Sequence, residues 1–427
     1  MKTSISHAWC ALRNRNFRLF FIGQGISVIG TWMTRMATGW LVYRLTGSAL
    51  LLGIVGFAGQ IVPFLLQPLA GARVERMDRR KLLVWTQVAA AIQSLMLACL
   101  TLGHIVTIWE IIALSGLQGL INAFDVPGRQ SFFIRMIDDR SDLGNAIALN
   151  STMVNGARLL GPALAGIAIG LVGEGGCFLI DAISYVAVIA SLLMMNIQPV
   201  EVARSADNLF SQMREGWDYV RTFSPVRTIL LLFAIVSLMG YPYMVLLPIF
   251  AGRVFHGGPH ALGWLTAASG LGALISALSL AFRKSVVGLT RMIGMSSATL
   301  GIALILFGFS HRFDLSLFLM AFAGFGMMQC AAASNTVMQT LVPEDKRARV
   351  ISYYAMAYFG AAPIGSLLAG ALSQKIGASD TIIITGTFCL LGSVWFSLQM
   401  AKIGALIHPI YQEMGLMPKF PGQGEMT

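Results

Sequence analysis

Apolar stretches of about twenty residues recur along the whole chain with only short connections between them, and no other feature restricts the fold so tightly. A helix rises ~1.5 Å per residue, so each stretch can cross a hydrocarbon layer ~30 Å thick. Inside that layer backbone polar groups find no water, which leaves only helices or a closed barrel. The strict apolar/polar alternation of barrel strands is absent. Charged residues make up 11% of the 427 and the mean hydropathy is +0.72. Soluble chains carry roughly 25% charged residues, so this one lacks the polar surface to live in water. It reads as an all-α membrane protein with twelve transmembrane helices.

The spans are expected at 17–44, 50–70, 82–104, 107–127, 145–171, 177–197, 229–252, 261–282, 291–310, 314–341, 349–373 and 380–401. The basic N-terminal segment, with Lys2, Arg13, Arg15 and Arg18, imitates a secretion signal. No small-residue cleavage site follows it, so the first span is expected to be retained. The formal charge of +11 would suit a nucleic-acid binder, but the longest polar stretch, 198–228, leaves no room for a binding domain. Its distribution explains it better. Of the 30 Lys and Arg residues, only Arg44, Arg253, Arg312 and Lys375 fall in the odd-numbered connections, and Arg35 and Arg158 inside spans. The rest lie at the termini and in the even-numbered connections, which the positive-inside rule assigns to the cytoplasm.

The chain also repeats itself. "GARLLGPALAGIAIGLVG" (156–173) aligns without gaps to "GAAPIGSLLAGALSQKIG" (360–377), matching at Gly156/Gly360, Ala157/Ala361, Gly161/Gly365, Leu164/Leu368, Ala165/Ala369, Gly166/Gly370 and Gly173/Gly377. The offset pairs span five with span eleven, as two parallel six-helix halves with pseudo-symmetry require. The division expected is an N-terminal half at 1–197, a cytoplasmic linker with an amphipathic helix at 198–228, a C-terminal half at 229–402 and a cytoplasmic tail at 403–427. Five cysteines stand far apart without paired spacing and read as packing residues, so neither disulfide, metal nor cofactor is expected.

Between spans two and three lies "GARVERMDRRK" (71–81). Gly71, Glu75, Arg76, Arg79, Arg80 and Lys81 resemble the signature loop of the major facilitator superfamily, G-xxx-D-R-x-G-R-R-K. Two positions depart from it: Glu75 stands for the usual Asp and Asp78 for the second Gly. In span five, Gly161, Pro162, Ala165 and Gly166 resemble the G-P-x-x-G-G element of exporters and antiporters, one turn after Arg158. Small residues there allow close helix approach and Pro a bend. "GTWMTRMATGWLVYRLTGSALLLG" (30–53), "AFDVPGRQSF" (123–132), "NGARLLGP" (155–162), "REGWDYVR" (214–221) and "LVPEDKRARVIS" (341–352) resemble the branch that holds the enterobactin exporter and the macrolide efflux proteins.

Polar residues inside spans are the site candidates, because burial there is costly unless they are paired or wetted. Gln24, Ser27, Thr31, Thr34, Arg35 and Thr38 share an arc of about 100° on span one, and Glu110, Gln118, Asn122, Asp125 and Arg129 an arc of about 120° on span four. The resemblance implies that spans one, four, seven and ten line a central cavity. Gln24, Thr31, Arg35, Gln118 and Asn122 are then expected to meet substrate. Arg35 could pair with Glu110 or take an anionic substrate group. Asp125 is expected to pair with Arg76 or Arg79 as a gate. Glu110 and Asp181 are the proton-coupling candidates, while Thr31 stands where many relatives carry an acid.

No G-x-x-x-x-G-K-[ST], H-E-x-x-H or G-x-S-x-G is present, which argues against an ATPase or a hydrolase. The function expected is secondary export of an amphipathic small molecule, drug or siderophore-like, in exchange for protons, by a monomer in the cytoplasmic membrane. Lysophospholipid movement, lipid scrambling and a sensor without transport stay open on the same fold.

Overall fold

The computed structural model describes residues 10–74, 77–137, 140–196, 209–283 and 285–416. Among them no strand occurs, and nine helices are long and apolar enough to cross a membrane by composition alone. The 52-residue helix Leu143–Met194 is long enough for two crossings and breaks at Gly173 (φ 72, ψ 177). Arg15–Thr46 and Ile108–Phe133, of 32 and 26 residues, also have crossing length. Polar side chains keep these two out of the apolar nine, and they are the two that carry the polar arcs noted in the sequence.

The twelve spans are α1 (Arg15–Thr46), α2 (Ala49–Val74), α3 (Arg79–Leu102), α4 (Ile108–Phe133), α5 and α6 (143–172 and 174–194), α7 (Ser224–Val254), α8 (Gly258–Ala281), α9 (Leu289–Phe309), α10 (Phe313–Leu341), α11 (Glu344–Ile376) and α12 (Ala378–Glu413). Beyond the expected end at 401, α12 continues, because Ile403, Ile407 and Tyr411, at four-residue spacing, are buried. Side chains such as Leu171 and Leu398 remain 79% and 75% exposed, an apolar surface suited to lipid.

Connections are short because local chemistry stops each helix. Gly47 (φ 58) closes α1 with its N–H on Tyr43 O at 2.7 Å. Asp78 opens α3, its carboxylate accepting from the N–H groups of Arg80 at 3.0 Å and Lys81 at 3.2 Å. The residue that breaks the superfamily pattern is thus a helix cap. Between the halves, the amphipathic helix expected in 208–223 forms at Leu209–Thr222 and packs on the start of α11. Val220 is buried, Glu215 pairs with Arg349, Trp217 lies 5.8 Å from Tyr353, and the Lys346 ammonium sits 5.2 Å over the Tyr219 ring.

The two most extensive seams between the halves are α2 against α11 and α5 against α8. Glycine fills both. A Cβ on Gly166 would stand 3.1 Å from Gly263 Cα, and one on Gly370 would stand 2.9 Å from Gly53 Cα. Gly166 and Gly370 are matched residues of the repeat, so the two seams are pseudo-symmetric copies. Gly161 and Gly365 behave alike, meeting the backbones of α1 at Ile29 and α7 at Leu238. Gly173 and Gly377 both take positive φ, 72° and 94°, at the α5–α6 and α11–α12 turns. A side chain at either would be strained, which is why the repeat ends on glycine.

Candidate functional site

The polar arc of α1 splits in two in three dimensions. One part faces α6 and α3. Thr31 donates to Ser27 O at 3.0 Å and meets Tyr185 Oη at 3.5 Å, so its hydroxyl serves the seam with α6. Thr34 donates to Asp181 Oδ2 at 2.8 Å, and Gly30 leaves room for that carboxylate, since a Cβ would stand 2.6 Å from Oδ1. Asp181 is 2% exposed. Its surroundings are neutral: Ser94 Oγ at 3.2 Å, Ser184 Oγ at 3.5 Å and Thr34. Each hydroxyl has one proton to give. That of Ser94 has Phe178 O closer, at 2.9 Å, and that of Ser184 has the Asp181 carbonyl at 2.7 Å. Thr34 remains the one hydroxyl committed to the carboxylate. Gln24 is buried lower on the same helix.

The other part of α1 turns toward the C-terminal half. The Arg35 guanidinium lies 4.9 Å from the Trp32 ring centroid, and that of Arg158 on α5 lies 5.8 Å from it. The exporter-type element explains this meeting. Gly161, one turn beyond Arg158, is where a Cβ would stand 2.5 Å from Trp32 Cβ, so only glycine lets the indole seat against α5. Gly166, farther along, belongs to the α8 seam; Pro162 is buried between them within a continuing helix. Both guanidiniums lie within electrostatic reach of the Tyr358 phenol on α11. Tyr358 stacks on Phe233 (5.7 Å, 10°) and meets Tyr241 edge-on at 6.0 Å, which builds an aromatic wall from α7 and α11.

That wall depends on an irregular α7. Instead of one regular helix over 229–252, π-helical turns occupy Val236–Gly240 and Phe250–Val254, with a turn at Tyr241–Pro242 between them and the following helix. Proline has no N–H to continue the ladder, and broken spans near the bilayer centre are where transporters hold substrate. Tyr241, Tyr358, Phe233 and Trp32 were not among the sequence candidates. The signal available was the run "GYPY" (240–243), where Gly and Pro interrupt an apolar span.

On α4 Asp125 and Glu110 find partners close by among the described residues. Asp125 forms its ion pair with Arg129, one turn along its own helix, and accepts from Thr86 at 3.0 Å and Gln87 at 2.7 Å on α3. Its oxygens are therefore engaged before Arg79 is reached, while Arg76 and Glu75 lie outside the described residues. Gly71 falls in the last turns of α2, and Arg80 reaches across to Leu192 O (2.8 Å) and Leu193 O (2.6 Å) at the end of α6. Nor does Glu110 join Arg35. Its carboxylate accepts the Thr107 N–H at 2.5 Å, the capping-box arrangement that T-x-x-E encodes. Gln118 and Asn122 bond each other at 3.4 Å on the face expected to meet substrate.

At the end away from the linker the halves are clasped. Gln374 Oε1 of α11 accepts from Ser48 Oγ and from the Ala49 N–H, both at 3.1 Å, and so caps α2 from the opposite half. Arg253 of α7 donates to Gly47 O at 2.8 Å, and Tyr43 lies against Gly252. Among the described residues these are the hydrogen bonds that cross between halves. A cavity of about 220 Å³ lies beside them, lined by Ala49, Arg253, Gln374 and their neighbours.

Residues 6–406 match the transmembrane secretion effector family of the major facilitator superfamily. The chain belongs to that family. It is 25% identical over 389 residues to the staphyloferrin A transporter of Staphylococcus aureus, covering 90% of this chain and 97% of that one. The multidrug efflux pump Tap of Mycolicibacterium fortuitum is 27% identical over 379 residues, with 86% and 91% covered. Macrolide efflux protein A of Streptococcus pyogenes is 21% identical, with 88% and 93% covered. In fold the chain resembles the nucleoside transporter NupG (TM-score 0.72, 13% identity, 91% of this chain and 99% of that one). It also resembles a bacterial homologue of the lysosomal transporter Spinster in an inward-facing, unoccupied conformation (TM-score 0.68, 14% identity, 90% and 96% covered). Arg35 and Arg158 thus share the Trp32 ring within electrostatic reach of Tyr358 of the other half, and Thr34, the residue before Arg35, bonds Asp181.

Proposed function

We propose that this major facilitator protein exports an amphipathic small molecule, drug or siderophore-like, across the cytoplasmic membrane in exchange for protons by alternating access. The named relatives include a staphyloferrin transporter and drug and macrolide efflux proteins, which supports that direction and class. The basic residues gathered in the even-numbered connections support a cytoplasmic linker and cytoplasmic termini. The clasp of Gln374 and Arg253 is then an outer gate, closed here. Gln24, Gln118 and Asn122 line the pathway, and the signature loop from Gly71 through Arg80 anchors its inner mouth.

One observation carries the coupling: Asp181 is buried with hydroxyl partners and, among the described residues, no ion-pair partner. A protonated Asp181 can donate to Ser94 Oγ while Ser94 still bonds Phe178 O, so the same cage accepts the acid with or without its proton. Thr34 ties that proton to α1, one residue from Arg35. Gain or loss of the proton therefore changes the charge beside the helix that holds Arg35. Glu110, bound in a cap, is the second coupling candidate.

The test is uptake into inverted vesicles with and without an imposed pH difference. Asp181→Asn keeps exchange of labelled substrate and loses gradient-driven accumulation at least tenfold. Accumulation at the wild-type level in Asp181→Asn would remove it from coupling.

A further inference from the structure

We propose that the space bounded by Arg35, Arg158, Tyr241 and Tyr358 is the substrate site, and that its substrate carries a carboxylate-type anion joined to a flat apolar group. This deepens the exporter reading and rests on it only for the consequence in transport. Two cations find no counter-charge among the described residues. Among the described residues the ion pairs are Arg44–Glu174, Arg129–Asp125 and Arg349–Glu215. Arg35 and Arg158 enter none. The acids within reach of the N-terminal spans are already committed: Asp125 to Arg129, Glu174 to Arg44, Glu110 to its cap and Asp181 to hydroxyls. From the other half no acid can come, because the middles of α7 to α12 contain no Asp or Glu; Asp314, Glu344, Asp345, Asp380 and Glu413 all sit at helix ends.

Two guanidiniums at membrane depth without a counter-charge are expensive to keep unless water or a ligand reaches them, and Arg35 is exposed while Arg158 is half-buried. The Arg158 Nε is shielded from solvent and makes no hydrogen bond among the described residues. Trp32 orients both cations without neutralising them, since an indole face attracts a cation but carries no net charge. A guanidinium presents its N–H donors as a flat fork that matches a carboxylate, which makes the pair a receptor for a delocalised anion. Both guanidiniums lie within electrostatic reach of the Tyr358 phenol, against whose ring Tyr241 and Phe233 pack. They supply an apolar, flat surface with polar tips, suited to a planar group attached to the anion. A cationic amphipath is repelled from this site by both arginines.

The binding probe is 2-naphthoate, with neutral 2-naphthamide of the same shape as its control. The full chain is held in nanodiscs of phosphatidylcholine, and thermal unfolding is followed against probe concentration. Naphthoate raises the melting temperature of the wild type and naphthamide does not. Arg35→Gln and Arg158→Gln each weaken the apparent affinity at least tenfold, while without probe each melts no lower than wild type because an unanswered cation has gone. Equal responses to the two probes, no response to either, or variants that melt lower and still respond to naphthoate would overturn the proposal. Loss of the wild-type response when phosphatidylglycerol replaces part of the lipid would assign the site to a lipid phosphate and overturn the small-molecule reading. Asp181→Asn binds naphthoate as wild type does. Intact naphthoate binding without proton-driven transport in any variant or the wild type would strike the exporter reading alone.

Discussion

The two halves share a backbone plan and divide the chemistry unequally. In the N-terminal half, Arg35, Asp125, Arg158 and Asp181 sit within spans; in the C-terminal half the span middles carry no Asp, Glu, Lys or Arg, and Tyr241, Tyr243, Tyr354 and Tyr358 take their place. Where the repeat is strict, at Gly161/Gly365, Gly166/Gly370 and Gly173/Gly377, the residues do mechanical work that both halves need. The residue one turn before the first pair is free to differ: Arg158 has Ala362 as its counterpart. Symmetry is therefore a property of the seams and turns, while the site on the pseudo-axis is made asymmetric by what projects into it. One half supplies charge and the other a flat apolar wall.

That division can be attacked most strongly at the seams. Gly166→Leu and Gly370→Leu place four carbons where a single Cβ already stands about 3 Å from the facing glycine. Both are expected to abolish transport and to cost about 1–3 kcal/mol by overpacking. Loss in one variant and tolerance in the other, measured as vesicle transport and melting temperature, would break the equivalence of the seams.

A smaller effect is expected at the clasp, which has no copy among the described residues at the linker end. Gln374→Ala removes two hydrogen bonds that cap α2 from the other half. A cap of this kind contributes about 1 kcal/mol, so the population open at the clasped end rises about fivefold. An impermeant thiol reagent applied from that side should label a cysteine at Thr38 correspondingly faster. An unchanged labelling rate would mean the clasp does not hold the gate.

Glu110→Gln sharpens the contrast with Asp181. Glutamine keeps the capping oxygen, so stability is expected to fall by less than about 1 kcal/mol with pH-driven accumulation within twofold of wild type. A loss of gradient dependence would return Glu110 to the coupling path. The smallest effect belongs to the linker: Arg349→Ala breaks an exposed pair with Glu215, worth at most about 1 kcal/mol. Its melting temperature, compared at low and high salt, should differ from wild type only at low salt.

Particular residues show how far the sequence could be read. Spans, turns and the linker helix were legible because apolar length, Gly at positive φ and amphipathic spacing act locally. Thr107-x-x-Glu110 and Asp78 before Arg79 are equally local capping signals, although Glu110 was weighed as a coupling acid and Asp78 as a departure from a pattern. The arc shared by Thr31, Thr34 and Arg35 spans about 100° of helix surface, wide enough to touch both a neighbouring helix and a cavity. Which residue does which depends on where α6 lies. The pairing of Asp125 went to Arg129 because a partner one turn away costs no distant alignment.

By itself the sequence determined that this chain crosses a membrane as helices, in two related halves, with its basic connections on one side. Those are consequences of length, periodicity and transfer free energy, which every local stretch carries with it. Only the tertiary structure decided that Gly161 brings Trp32 against α5 between Arg35 and Arg158, that the broken α7 turns Tyr241 toward Tyr358, and that Asp181 is caged by hydroxyls from α1, α3 and its own helix. Each of these is a meeting of residues distant in the chain, and what brings them together is how the helices pack, which no single span encodes.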